Sequence, residues 1–283
     1  MKNGQVTFNM REGIPTIKEY QHAISSPFFT HLEKFSDKFL KSNRRHLFKY
    51  KYKWSGDPLH TWSRQWEYLY VLKNIMEYVS VNNRQTKILD AGSGVTLLPY
   101  YIHMEFNETN IVCCDSDLSL TSIVCNIKKS IPNQVKYTIS DLRSMPFRNE
   151  AFDVIFCISV MEHTRDIEDI VREFKRIMTR KGILIVTFDI SLDGKGEITV
   201  EGAAKLIGIL NKYFPRGSDT SPLDLNAELC RKDIVTTSYF KENKPHLLPW
   251  KFPLLSQVKR FIKNGNFGPR IREYTFYCCK YEN

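Results

Sequence analysis

Long hydrophobic runs are missing from this sequence of 283 residues. The longest apolar stretches, such as Gly182–Phe188, are far shorter than the roughly 20 residues that a membrane-spanning helix needs. Residues 1–11 are polar and contain no apolar core of a signal peptide. We therefore expect a soluble, cytoplasmic protein that does not insert into a membrane.

Metal-type cysteine spacing is also missing. The seven cysteines form no C-x-x-C pair and no His/Cys cluster with zinc spacing. Two adjacent pairs, Cys113-Cys114 and Cys278-Cys279, lie in apolar, strand-like runs. Because a free thiol packs as a small hydrophobic group, we predict reduced core cysteines and no metal site.

Acidic residues are scarce at both ends of the chain. The net charge is +10, and residues 1–86 and 241–283 carry the excess of Lys and Arg, whereas the centre is slightly acidic. The densest basic cluster, Lys38–Lys53, has Tyr50 and Tyr52 interleaved, and a second basic segment spans Lys259–Arg272. Such patches attract anions, for example RNA, a phosphorylated glycan, a nucleotide-linked sugar or an acidic membrane surface. A solvated helix face is the competing interpretation.

The centre of the chain alternates short apolar runs with helical patterns. Strands are predicted at Lys87–Ala91, Asn110–Asp115, Gln134–Ile139, Phe152–Ile158 and Gly182–Phe188. Helices are predicted between them at Leu97–Phe106, Leu118–Lys129 and Ile167–Thr179, with Asp117 as the N-cap of the second. This alternation is typical of right-handed βαβ units in a parallel sheet covered on both faces.

The flanking segments complete the predicted fold. Two more strands are predicted at Asp233–Phe240 and Ile271–Tyr281, and two more helices at Leu59–Val79, begun by Asp57-Pro58, and Thr199–Phe214. We therefore predict an α/β, Rossmann-like fold with a seven-stranded, mostly parallel sheet and helices on both faces. Residues 1–86 would form an N-terminal helical cap. Residues 87–283 would form the main domain, with a substrate-side insertion at about 189–232.

A glycine turn joins the first predicted strand to the next helix. Gly92 and Gly94 permit a tight turn and a close ligand approach, and the N–H groups that follow favour an acceptor atom. Asp115 ends the second strand, 21 residues after Gly94. At that offset a carboxylate can accept hydrogen bonds from both hydroxyls of a ribose. The pattern predicts an adenosine-type ligand across the carboxyl ends of the strands, where the strand order reverses.

Two related ligand classes fit less well. A dinucleotide turn reads G-x-G-x-x-G, but Leu97 occupies the position of the third glycine. A P-loop needs G-K-S or G-K-T, which does not follow here. The sequence favours a nucleoside without a pyrophosphate, whose amino-acid tail lies at the turn beside Asp90.

These elements resemble class I S-adenosylmethionine (SAM)-dependent methyltransferases, in particular those that modify small molecules, lipids and sugars. The resemblance covers about Lys87–Phe188 and depends on four motifs in order: KILDAGSG, IVCCDSDLSL, ISDLRSMPF with RNEAFDVIFCISVMEHT, and RIMTRKGILIVTF. One departure is Thr96, which replaces the third glycine of D-x-G-x-G-x-G.

The resemblance implies a role for several residues, with SAM as the cofactor. Cofactor-binding residues would be Asp90, Gly92 and Gly94 at the methionine end, Asp115 at the ribose, Asp141 and Leu142 at the adenine, and Ser159 in the methyl-donor pocket.

Methyl transfer depends mainly on positioning, and a hydroxyl nucleophile must also lose a proton. His163 is the first candidate base, because imidazole suits proton abstraction near neutral pH and the resemblance places this residue at the mouth of the pocket. Asp189, just after the fifth predicted strand, is the second. Arg64, Glu162 and Asp193 are candidate substrate-binding residues.

We expect a methyltransferase that acts on a small molecule or glycan, most readily at a hydroxyl oxygen, and a homodimer is compatible with the sequence. The basic flanks suggest RNA methylation as an alternative, but no N-P-P-Y, D-P-P-Y, Pro-Cys or RNA-binding module is present. A catalytically inactive SAM-binding partner protein is the other alternative, and the intact Gly92, Gly94 and Asp115 count against it.

Overall fold

A computed structural model describes residues 10–48, 56–82, 84–106, 108–128, 135–215, 224–248, 258, 262 and 272–283. Within these residues the chain forms one sheet of six strands in the order β3-β2-β1-β4-β5-β6. The strands are β1 (Thr86–Ala91), β2 (Thr109–Asp115), β3 (Val135–Ile139), β4 (Phe152–Ile158), β5 (Met178–Ser191) and β6 (Tyr274–Glu282). Only β6 runs antiparallel, and it pairs with β5. The predicted α/β, mostly parallel, Rossmann-like fold is confirmed.

Helices cover both faces of this sheet. They are α1 (Ile17–Ile24), α2 (Pro27–Leu47), α3 (Arg64–Asn82), α4 (Leu98–Glu105), α5 (Thr121–Lys128), α6 (Ile167–Ile177), α7 (Val200–Tyr213), α8 (Leu225–Leu229) and α9 (Thr237–Asn243). The helices α1–α5 and α9 share a hydrophobic core with one face, and α6–α8 share a core with the other.

Strand β4 shows why the buried strands could be predicted from apolar runs in the sequence. Val154 and Phe156 face the first core, whereas Ile155 and Cys157 face the second. Successive side chains of a strand point to opposite faces, so a strand with helices on both sides is apolar at nearly every position. The vicinal cysteines follow the same rule, because Cys113 lies in one core and Cys114 in the other.

The prediction of a seventh strand at Asp233–Phe240 is wrong. Ile234 forms only an isolated bridge with Thr16, and the chain then enters α9. Thr236 is the N-cap of this helix, since its hydroxyl accepts a hydrogen bond from the Tyr239 N–H at 3.4 Å. The threonines that suggest a strand by propensity therefore start a helix by capping.

The predicted start of the helix at Leu59–Val79 is also wrong, because α3 begins at Arg64. Asp57 accepts hydrogen bonds from the His60 backbone N–H at 3.2 Å and from the His60 ring at 2.7 Å. These local bonds hold residues 57–60 in a non-helical conformation, so the helix begins after them.

Much of each basic segment predicted to attract anions lies outside the described residues. Lys38, Lys41, Arg44 and Arg45 are exposed on α2. Lys49–Trp54, Lys259, Arg260, Lys263 and Arg270 are not among the residues described. No helix of the described part is both long and apolar enough to cross a membrane.

Candidate active site

A cleft of about 990 Å³ opens at the carboxyl edge of the sheet, where the strand order reverses between β1 and β4. Its wall includes residues at or just after the ends of four parallel strands: Asp90, Asp115, Ser159 and Asp189. The cleft also contains the other predicted site residues Arg64, Gly92, Gly94, Asp141, Leu142, Glu162 and His163. Asp193 is the exception and lies outside the lining of this cleft.

The glycine turn closes tightly against the neighbouring strands. The N–H groups of Gly92 and Ser93 donate to the Cys114 carbonyl at 2.8 and 2.9 Å. Gly92 has φ +74° and Gly94 has φ +51°, a left-handed backbone that glycine adopts without strain. A Cβ atom at Gly92 would lie 2.5 Å from Cγ2 of Val160, so the site has no room for a side chain. The turn thus keeps backbone rather than side chains at the cleft floor.

Asp115 orients its carboxylate across this turn. It accepts hydrogen bonds from the N–H groups of Gly94 at 2.8 Å and Asp117 at 2.9 Å. A carboxylate has about four acceptor positions, so these bonds leave room for two further donors. This geometry fits the pair of ribose hydroxyls that the sequence predicts.

Asp90 lies deeper, with 4% of its surface exposed. Burial raises the pKa of its carboxyl well above the ordinary value, and the nearby Asp115 carboxylate adds to the increase. A positively charged group in the cleft would stabilise the ionised form of Asp90. The methionine end of SAM carries such charges, so the residue fits its predicted role.

The predicted adenine residues lie at the cleft rim. Asp141 is exposed and accepts hydrogen bonds from the backbone N–H of Arg143 at 2.9 Å and from its guanidinium at 2.6 Å. The Arg143 side-chain hydrogen bond holds the pKa of Asp141 below its ordinary value. Leu142 is buried beside this pair and offers an apolar surface. Arg143, which the sequence did not single out, also bonds Asp166 at 2.6 Å.

Buried hydrogen bonds connect helix α3 to the floor of the cleft. Glu67 is fully buried, and its Oε1 accepts hydrogen bonds from the hydroxyls of Ser159 at 2.9 Å and Thr187 at 2.6 Å. Arg64 donates both to Glu67 and to the Ser159 hydroxyl. Ser159 has φ +47°, a strained conformation for a residue with a side chain. The sequence gave no sign of the bonds that join Arg64 and Glu67 to the strand ends.

Glu162 and Asp189 lie together beyond this network. The Asp189 backbone N–H donates to Glu162 Oε1 at 3.2 Å. Burial raises the pKa of both carboxyls, that of Asp189 to about 8, and the nearby Glu67 charge adds to the shift at Asp189. Among the described residues, neither Glu162 Oε2 nor Asp189 Oδ1 has a hydrogen-bond partner, although both atoms are buried.

His163 lies at the exposed side of the same cleft. Its Nδ1 is hydrogen-bonded to Oε2 of Glu197, a residue that also lines the cleft. A carboxylate on one ring nitrogen fixes the tautomer and the orientation of an imidazole. Glu197 was missed in the sequence because it lies 34 residues from His163 and belongs to no motif.

Asp193 does not join these residues. Its Oδ1 accepts hydrogen bonds from the Ser191 hydroxyl at 2.9 Å and the Lys195 N–H at 3.0 Å. These contacts fold the segment after β5 into a turn that keeps the carboxylate occupied. In the part of the chain that the structure describes, no group of three His, Cys, Asp or Glu side chains could hold a metal ion.

Hydrogen bonds of His60 stabilise residues 57–61, which lie at the mouth of the cleft. The ring bonds Asp57 at 2.7 Å and Glu33 at 3.0 Å, while the neighbouring Pro58 and Thr61 line the cleft. The hydrogen bond that the His60 ring donates to Asp57 raises the pKa of His60 from 6.5 to about 9, with a further contribution from Glu33.

The His60 contacts predict a pH-dependent contribution to stability. Because the pKa is higher in the folded state, the stabilisation is complete below about pH 6.5 and is lost as the pH rises through about 9. We expect the difference in unfolding free energy between the wild type and His60→Gln to shrink over this range in urea titrations. The exposed His22→Gln serves as the control. A difference that stays constant with pH would contradict the assignment.

Comparison with known proteins identifies the central part of the chain. Residues 89–186 match the family model of a methyltransferase domain. An uncharacterised protein of Methanocaldococcus jannaschii is 29% identical over 105 residues, which cover 37% of this chain and 41% of that protein. A ubiquinone biosynthesis O-methyltransferase of Rickettsia bellii is 24% identical over 119 residues, which cover 42% of this chain and 48% of the enzyme. The chain thus spans less than half the length of either relative.

Among solved structures, phosphoethanolamine N-methyltransferase 2 of Haemonchus contortus in complex with SAM is similar, with a TM-score of 0.49 and 13% identity. The similarity covers 75% of this chain and 52% of that enzyme. The matched residues 89–186 contain the glycine turn, Asp115 and the segment after β4. They form a methyltransferase domain of the class I, SAM-dependent type, as the sequence motifs indicated.

Proposed function

We propose that the protein transfers the methyl group of SAM to a hydroxyl oxygen of a small-molecule or sugar acceptor. The observation that carries the acceptor assignment is the His163–Glu197 pair, which shares one cleft with the glycine turn and Asp115. A hydroxyl is a poor nucleophile until it loses its proton, and a carboxylate-oriented histidine is suited to accept one.

The cleft suits the methyl donor at several points. The narrow space at Gly92, the remaining acceptor positions of Asp115 and the buried carboxyl of Asp90 fit a nucleoside with a charged amino-acid tail. When bound, SAM supplies a methyl group that its sulfonium already activates. The task of the chain is then to align the acceptor, exclude water and remove a proton.

His163 and Glu197 have different roles in the proposed proton transfer. The Glu197 carboxylate holds Nδ1 and stabilises the imidazolium that forms when the ring takes a proton. The hydroxyl proton would pass to the ring as the new oxygen–carbon bond forms and the carbon–sulfur bond to the methyl group breaks, with S-adenosylhomocysteine as the leaving group. The imidazolium would then release the proton to water. Sugars, nucleotide-linked sugars and phosphorylated glycans suit the hydrogen-bonding side chains of the cleft.

The acceptor class is testable with labelled donor. We expect SAM with a tritiated methyl group to label members of a panel of monosaccharides, nucleotide sugars and small phenols, with NMR identifying the product as a methyl ether. Label found on nitrogen, or on mixed RNA alone, would overturn the proposal of a hydroxyl acceptor.

The base assignment predicts a selective loss of turnover in His163→Ala. We expect kcat to fall by about a hundredfold or more, because general-base catalysis typically contributes that much. Affinity for S-adenosylhomocysteine (SAH), measured by calorimetry, should stay within about twofold, since a base mainly affects the transition state. His22→Ala, an exposed change on α1, is the matched control. Unchanged turnover in His163→Ala would eliminate it as the base.

A further inference from the structure

Glu162 and Asp189 form a pair of carboxyls in the wall of the cleft. Glu162 is 6% exposed, and its Oε1 is held by the Asp189 backbone N–H at 3.2 Å. Within the described residues, Glu162 Oε2 and Asp189 Oδ1 receive no hydrogen bond. Both residues line the cleft. A buried carboxyl oxygen is normally paired, so these two atoms indicate a ligand group that is bound there in the working protein.

The charges around the pair define what kind of group this is. Arg64 is the cation nearest to the buried floor, but it donates to Glu67 and to the Ser159 hydroxyl. Arg143 lies at the exposed rim, where Asp141 and Asp166 hold it. The third cation among the described residues of the cleft wall, Arg165, is exposed. With Asp90 also on the floor, the described residues at the inner end of the cleft have an excess of carboxyls that a cationic group would complement.

We propose that Glu162 and Asp189 form a subsite for a compact cation at the methyl-transfer end of the cleft. The inference depends on the proposed function, because it places the nucleoside at Asp115 and the reacting end toward β4 and β5. Two sources can supply the cation: the sulfonium of the donor, or a protonated amine of the acceptor. Either one lowers the cost of burying the two carboxyls.

Three ligands of nearly the same skeleton separate these sources. SAM carries a sulfonium, and SAH carries a neutral thioether at the same atom. Sinefungin carries a protonated amine where SAM has its methyl group, and this amine can donate hydrogen bonds to carboxyl oxygens. The ratio of SAM to SAH affinity therefore reports a sulfonium, and the ratio of sinefungin to SAH affinity reports an amine.

The test measures the Kd of all three ligands by calorimetry with wild type, Glu162→Gln and Glu201→Gln. We expect wild type to bind SAM, sinefungin or both about tenfold more tightly than SAH, as one partly screened charge contact provides. Glu162→Gln should reduce that preference to below about threefold, while SAH affinity stays within about twofold. Glu201→Gln makes the same charge change on the exposed face of α7 and should retain the wild-type preference.

Each outcome has one meaning. A preference for SAM that disappears in Glu162→Gln assigns the subsite to the sulfonium, and a preference for sinefungin alone assigns it to an amine of the acceptor. Equal affinities in the wild type, or a preference that persists in Glu162→Gln, would overturn the subsite. If circular dichroism shows that Glu162→Gln does not fold, Asp189→Asn takes its place with the same expectations. Wild type that does not bind SAH at all would refute the donor placement, and the subsite with it.

Discussion

Alanine at position 92 is expected to abolish most of the affinity for SAH, with a Kd at least about a hundredfold weaker than that of the wild type. Gly92 has φ +74°, and a left-handed backbone costs an alanine about 1 kcal/mol. The larger effect is steric, because the new Cβ would lie 2.5 and 2.7 Å from the two methyl carbons of Val160. Val160 lies between Ser159 and the Met161–His163 turn, so relief of the clash would move cleft residues on both sides.

Alanine substitutions at two other glycines are controls for Gly92→Ala, one with backbone strain and no steric clash and one with neither. Gly194 has φ +67°, but a Cβ atom there would meet nothing within 4 Å, so Gly194→Ala carries the strain alone. Gly208 lies in α7 with equally open surroundings, and Gly208→Ala should stabilise the helix by about 1 kcal/mol. Both variants should bind SAH in calorimetry as the wild type does. Wild-type affinity in Gly92→Ala would refute the role of this turn.

The parts of the fold that were predictable from the sequence are those whose signal is local. Strand β4 was predicted with its observed bounds because its side chains are buried on both faces, which leaves an apolar run that only Asp153 interrupts. The turn after β1 was predictable because glycine favours the positive φ that a tight turn needs, and Gly92 and Gly94 both adopt it. Asp115 was predictable because it ends the neighbouring parallel strand at the same sheet edge.

The errors arose where one local signal overrode another. Residues Asp233–Phe240 have the β-branched composition of a strand, but the Thr236 cap begins α9. In the same way Asp57-Pro58 suits a helix start, yet the Asp57 side chain bonds His60 and forms a turn instead. A short polar side chain can stabilise a cap or a turn with a single hydrogen bond, and propensity does not distinguish the two.

Contacts between distant residues had no signal in a single sequence. Glu67 meets Ser159 across 92 positions and Thr187 across 120, and the three residues belong to different elements. Glu197 meets His163 only because the chain returns to the cleft before α7. The sequence could therefore suggest which side chains line the cleft, but not which of them form hydrogen bonds between different parts of the fold.

The largest expected effect on stability is that of Glu67→Ala. Its carboxylate is fully buried and bonds Arg64 together with the hydroxyls of Ser159 and Thr187. The substitution leaves the Arg64 charge, whose side chain is 21% exposed, without this partner and removes the acceptor of two buried hydroxyls, which together cost about 3–5 kcal/mol. We expect a loss of this size in the unfolding free energy from urea titration. Glu77→Ala on the same helix removes an exposed carboxylate paired with Lys73 at 3.0 Å and should cost less than about 1 kcal/mol.

A double variant shows whether the uncompensated charge is the cause. Arg64→Leu combined with Glu67→Leu removes both ions of this pair, so neither is left without the other. This variant should be more stable than Glu67→Leu alone, which fills the same space but leaves Arg64 without Glu67, because replacing a buried ion pair by apolar groups is often close to neutral. It should still be less stable than wild type, since the Ser159 and Thr187 hydroxyls lose an acceptor at about 1–3 kcal/mol each. If Glu67→Leu and the double variant lose the same free energy, the unpaired Arg64 charge is not the cause of the loss.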